Sequence, residues 1–184
     1  MQAPRLIFHP KPPELVVEPD TLVRALTGIG LLGDPRTEAE PGSFYAGEHF
    51  LDLLTFLGCS PVIALSPEDG DMYCHIDIET YESPRLIYGS QPFQPRCKHC
   101  RTPIADWYKQ YTGQAELNDA KIHCSHCGKD SPLPELNWKH SAGVGRQMII
   151  LHNIYLHEAV PGEKLLQTLE QLHPMTAWDY FYAL

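Results

Sequence analysis

Six cysteines occur in 184 residues, and four of them fall into two units of identical spacing: Cys97-Lys-His-Cys100 and, twenty-three residues later, Cys124-Ser-His-Cys127-Gly128. Two residues between cysteines let the chain turn tightly enough for backbone N–H groups to point at the sulfurs, and Gly128 relieves the crowding after the second turn. Two such turns facing each other make a tetrahedral cage of four thiolates. Cys97, Cys100, Cys124 and Cys127 are therefore the expected ligands of a single Zn2+. Four sulfurs leave no open coordination position, so the ion is expected to be structural and to activate no water. Iron is the main alternative occupant of a tetrahedral four-sulfur site. A dithiol redox motif would need only one such pair, beside a helix start.

These two units resemble the zinc ribbon, a module in which two cysteine knuckles sit at the ends of short hairpins. The resemblance covers residues 95–130, under a fifth of the chain, and implies ligands and a local fold but no activity. Residues 102–111 and 120–123 read as its strands, with Thr112-Gly-Gln as a turn. The sequence departs from the module at Arg101, where many such knuckles place glycine. Structural zinc contributes on the order of 10–16 kcal/mol in isolated peptides, enough to fold a hairpin pair with almost no core of its own.

Other reactive residues read more plainly. His99 and His126 hold equivalent places in the two knuckles, but four cysteines already complete the shell, which leaves both histidines exposed at the knuckle tips. Cys59 and Cys74 fall where a free cysteine behaves as a small core hydrophobe. The acidic turn Glu68-Asp69-Gly70-Asp71 lacks the ligand spacing of a calcium loop. His152 and His157 are five apart on an expected strand and so would face opposite ways. The Gly143-Val-Gly145 run precedes a strand rather than a helix, the wrong order for a dinucleotide loop, and reads as a flexible connection. Trp178, Tyr180, Phe181 and Tyr182 read as core residues of a terminal strand.

The elements that must position these residues follow from periodicity. Residues 1–19, with Pro10-Lys-Pro-Pro13, suggest an extended arm on the surface. Asp20 is the expected cap of a short helix through Leu22, Leu26 and Ile29; residues 33–45 read as loop; Phe50, Leu53, Leu54 and Leu57 predict a second helix over 47–57. Strands are expected at 61–66, 72–79 and 85–88, and a central one, apolar on both faces, at 147–158. Pro161 opens a helix with a stripe of Leu165, Leu166, Leu169 and Leu172, and 178–184 form a last strand. The expected fold class is α+β: a mixed or antiparallel sheet with two or three helices, built from residues 1–94 and 131–184, with the four-cysteine zinc ribbon inserted at 95–130.

A net charge of −9 narrows the partners. Between residues 97 and 140 six Lys/Arg stand against five Asp/Glu, and four thiolates on a dication cancel even that small excess, so binding to a phosphate backbone gets little support. No export signal and no apolar run near the ~20 residues of a bilayer span are present, and the expected compartment is the cytoplasm. The expected role is that of a non-catalytic interaction or adaptor protein with protein partners. The alternatives are an enzyme using groups such as His75, Asp77, His152 or Glu158, and nucleic-acid binding through Lys98, Arg101, Lys109, Lys121 and Lys129.

Overall fold

The computed structural model describes residues 3–58, 63–70, 72–89, 94–111, 117, 119–174 and 177–184. Its elements, in chain order, are β1 (Arg5–Pro10), α1 (Pro19–Gly28), β2 (Leu32–Pro35), β3 (Ser43–Ala46), β4 (Leu54–Phe56), β5 (His75–Tyr88), α2 (Trp107–Gln110), β6 (Lys121–His123), β7 (Asp130–Pro132), β8 (Ala142–His152), β9 (Ala159–Pro161), α3 (Glu163–Gln171) and β10 (Trp178–Ala183). The class is α+β, as the sequence implies. One six-stranded sheet runs β10-β1-β8-β5-β3-β2, and every pairing in it is antiparallel. Strands from both sides of the cysteine segment enter this sheet, and β4-β9 and β6-β7 form two small ribbons beside it.

The opening residues correct the expectation of a surface arm. Arg5–Pro10 pair with β10 on one side and β8 on the other, and Leu6, Ile7 and Phe8 are buried. Three consecutive apolar residues suit a strand covered on both faces. Leu6 and Phe8 join the main core with Leu22, Leu26, Phe50, Leu53, Ile76, Ile149, Leu151, Leu165 and Leu169, while Ile7 faces the other way onto Met148, Ile150 and Phe181. Only the stretch after β1 crosses the surface as an arm, held where Arg146 N–H donates to Pro13 O at 2.9 Å.

Helix α1 is capped two residues earlier than expected, because the Glu18 carboxylate accepts from the N–H groups of Asp20 (3.0 Å) and Thr21 (2.7 Å). The helix expected over 47–57 is absent: the chain turns through 48–53 and continues into β4. Gly47 donates to Leu31 O at 2.8 Å, so close that an added Cβ would sit 2.3 Å from Gly30 O. Pairing of β4 with β9 overrides the helical spacing of Phe50, Leu53 and Leu54, which are buried all the same.

Residues 33–45, expected as loop, contain most of β2 and part of β3. The strands expected at 72–79 and 85–88 are one strand, β5, with a register shift between Thr80 and Arg85 where Pro84 interrupts the ladder. Of the strand expected at 61–66, residues 61 and 62 lie outside the described residues and 63–66 are not extended into a sheet. Strand β8 is interior, as its apolar faces imply, but it begins at Ala142 and ends at His152. The glycine run is thus strand rather than connection, paired with Arg85–Ile87 of β5, and glycine is needed at 143 because a Cβ there would lie 2.4 Å from Phe181 Cε1 and 2.7 Å from His9 Nε2.

His9 sets a pH dependence. Desolvation by burial lowers its pKa below 6.5, against the raising effects of the Pro10 carbonyl and Asp179 and with a smaller lowering from Lys11. The unfolded chain therefore takes up this proton at a higher pH than the fold does, and stability falls as the pH drops below that value. We expect a lower urea midpoint at about pH 5 than at about pH 7.5, and a smaller difference in a His9→Gln variant.

Candidate metal centre

The two cysteine units fold into the same knuckle. Cys97 N–H donates to Thr102 O (3.0 Å) and Arg101 N–H to Cys97 O (2.9 Å); in the second unit Cys124 N–H donates to Lys129 O (3.0 Å) and Gly128 N–H to Cys124 O (2.8 Å). Arg101 (φ 63°) and Gly128 (φ 68°) hold the same left-handed position. Arg101 thus fills the glycine place without changing the turn, at a conformational cost of about 1 kcal/mol. An added Cβ at Gly128 meets nothing within 4 Å, so the cost there is conformational alone. Arg101→Gly is expected to gain up to ~1 kcal/mol and Gly128→Val to lose ~1–2 kcal/mol, read by thermal unfolding of the metal-loaded protein.

The knuckles bring all four sulfurs within 4.8 Å of one another. Cys97 Sγ lies 3.8 Å from Cys127 Sγ and Cys100 Sγ 3.6 Å from Cys124 Sγ, and all four thiols are free. A disulfide needs about 2.05 Å. The edge of a tetrahedron with metal–sulfur bonds of about 2.3 Å is about 3.8 Å. The separations therefore fit a tetrahedral ion such as zinc and no covalent pairing.

Electrostatics agree with that fit. The Thr102 hydroxyl and N–H bring the Cys100 thiol down to about 5, and the N–H groups of Cys100 and His99 lower Cys97. Cys127 goes the other way, to about 11: Lys129 N–H lowers it, but desolvation and the other three sulfurs outweigh that bond. Packed thiolates repel one another, and a dication at their centre removes the repulsion. His99 and His126 are exposed and outside the sulfur cluster.

The segment between the knuckles departs from expectation. Residues 102–111 contain the short helix α2 rather than a strand, while Lys121–His123 form β6, paired with β7. The expected turn at 112–114 lies outside the described residues. The unit also has a core of its own: Ile104, Trp107, Ile122, Leu133, Leu136 and Trp138 pack with Cys97 and Cys124, and the cluster reaches Ala142 and Val144 of β8. Trp107 and Trp138 meet edge to face at 4.8 Å between ring centroids. Arg96 bridges to Pro103 and to Asn137, tying the first knuckle to the return of the chain.

A second group of chemical side chains forms on the sheet. His75 and Asp77 of β5 and His152 of β8 bring their donor atoms within 4.8 Å of one another. His152 Nε2 stands 2.8 Å from Asp77 Oδ2, and the two imidazoles stack 4.1 Å apart at 7°. Desolvation lowers the His75 pKa, with His152 adding to it. Partial burial raises Asp77, but the His152 ring and the nearby Ser43 hydroxyl leave it below the ordinary carboxylate value. The sequence supplies these three among its candidate groups; only the sheet register brings them together. Glu158 is used elsewhere, accepting from Tyr155 N–H at 2.9 Å, and His157 lies beyond β8, edge-on to Tyr182.

The remaining candidates have structural places. Burial pushes the Cys74 thiol up to about 12, and Cys59 lies outside the described residues. Asp69 caps a short turn by accepting from Leu65 and Ser66, and Asp71 lies outside the described residues. Among the described residues no helix is long and apolar enough to cross a membrane. None of the protein-family models, curated proteins and solved structures compared with the chain matches it.

Proposed function

We propose that this is a zinc-binding protein in which Cys97, Cys100, Cys124 and Cys127 hold one structural Zn2+ in a ribbon-like unit, and that its role is a non-catalytic one, as an interaction or adaptor protein with protein partners. The observation that carries the reading is the sulfur geometry: edges of 3.6 and 3.8 Å on two matched knuckles suit a closed shell that offers no site for substrate. Free thiols of this kind suit a reducing compartment, the cytoplasm. Beside the unit, Tyr88 and Tyr108 are half exposed and flank the buried Trp107 at 6.0 and 6.3 Å, an aromatic surface of the type that protein interfaces favour. Nucleic acid fits less well: Lys98 is paired with Glu135, and the whole chain is acidic.

Two measurements test it. Metal analysis of protein purified without added zinc should find one zinc per chain; a metal-free folded protein would end the zinc reading. A photo-crosslinking residue at Tyr108 should give discrete protein adducts in cell extract that the same residue at Tyr155 does not; equal labelling at both positions, or none, would end the interaction reading.

The enzyme reading is favoured by one observation, the His75, Asp77 and His152 group. It adjoins a cleft of about 260 Å3 that begins at Asp77 and is lined also by Arg36, Ser43 and Glu79.

A further inference from the structure

We infer that His75, Asp77 and His152 form a second metal site, for a divalent first-row transition ion held by two imidazole nitrogens and one carboxylate oxygen. The site stands on residues separate from the four cysteines and does not depend on them. His75 and Asp77 are two apart on β5 and so project from one face of the sheet. Antiparallel pairing of Ile76 with Leu151 and Asp77 with Ile150 sets His152 of β8 beside them. Three donors thus come from two central, well-paired strands, which is the rigid support a metal site needs.

The donor chemistry is specific. His75 Nδ1 lies 3.1 Å from Tyr73 O. A carbonyl only accepts, so Nδ1 carries the hydrogen and Nε2 keeps its lone pair for a ligand. Metal-binding histidines are oriented by this kind of second hydrogen bond. Asp77 Oδ1 is buried and accepts no hydrogen bond among the described residues, a cost that a bound cation offsets. The 2.8 Å between His152 Nε2 and Asp77 Oδ2 is close to the ~3.0–3.4 Å separating two such donors on one ion. A His152–Asp77 ion pair alone would use neither His75 nor Asp77 Oδ1.

Both lone pairs must converge on the ion, so binding tilts one imidazole out of the 7° stack. Two nitrogens and one carboxylate leave positions open for water or an anionic ligand, unlike the closed sulfur shell. The cleft at Asp77 gives access to them; Arg36, paired with Glu38 at 3.2 Å, and the carboxylates of Glu40 and Glu79 line it, so water suits those positions better than an anion.

The test is a Co2+ titration of the 184-residue chain with zinc retained on its cysteines. One saturable equivalent should enter with weak d–d absorption and without the sulfur-to-cobalt charge-transfer band, and zinc content should stay at one per chain. His75→Ala, His152→Ala and Asp77→Asn should each weaken cobalt binding at least tenfold while leaving zinc content and the amide-exchange pattern of the sheet unchanged. Absence of a saturable second equivalent in the wild type would overturn the site whether or not the variants fold. So would cobalt entering only with the charge-transfer band, or wild-type affinity in folded His75→Ala and Asp77→Asn. Loss of zinc from the cysteines with cobalt binding intact would instead count against the four-sulfur reading alone.

Discussion

Cys124→Ser is expected to release the proposed zinc and unfold the cysteine unit while the six-stranded sheet stays folded. The serine hydroxyl replaces a thiolate that suits the ion, and three remaining sulfurs no longer close the shell. The unit has a core around Trp107, Ile122, Leu133 and Trp138, but it is small, and folded units below about 40 residues usually need a metal or disulfides. An ion worth on the order of 10–16 kcal/mol therefore outweighs what this core supplies. Metal content should fall below one per chain, and the emission of Trp107 and Trp138 should shift to the red as both rings meet water. Amide protection should be lost at Ile122 and kept at Leu6, Phe8, Ile149 and Leu151, whose core is separate. Full metal content with unchanged tryptophan emission would refute the prediction.

Gln147→Leu is expected to destabilise the whole fold by roughly 2–6 kcal/mol, the sum of two buried backbone groups left without partners at about 1–3 kcal/mol each. The Gln147 side chain is fully buried on β8; its Oε1 accepts from Val17 N–H at 3.0 Å and its Nε2 donates to Val17 O at 2.8 Å. Leucine keeps the volume and removes both bonds, so the change isolates their contribution. Loss of the tie should also free the stretch between β1 and α1 for cleavage by protease. Urea denaturation measures the first effect and limited proteolysis the second; a midpoint within about 0.5 kcal/mol of wild type would show that Val17 finds other partners.

How much of this was legible beforehand differs from residue to residue. The cysteine spacing, the interior character of residues 148–151 and the leucine stripe of α3 are local patterns, each set by the geometry of one turn, strand or helix. The helix expected over 47–57 failed because its apolar spacing is also compatible with a buried turn entering a strand. Contacts 17 residues away in sequence, at Gly30, settled that choice. The glycines of β8 have a related cause: Gly143 is small to admit His9 of β1 and Phe181 of β10, not to let the chain flex. Arg5–Pro10 reads in sequence as part of a proline-rich arm, because a six-residue strand carries too little pattern of its own and is defined by its partners β8 and β10.

By itself the sequence determined the four-sulfur motif, the α+β class and the net charge of −9, since these depend on residue type, composition and spacing within short stretches. Tertiary structure alone decided that His75, Asp77 and His152 meet, and that Gln147 serves Val17, 130 residues away. Side chains so far apart come together only through strand register. Register is a property of the assembled sheet, where sliding a strand by one residue would turn every side chain on it to the opposite face.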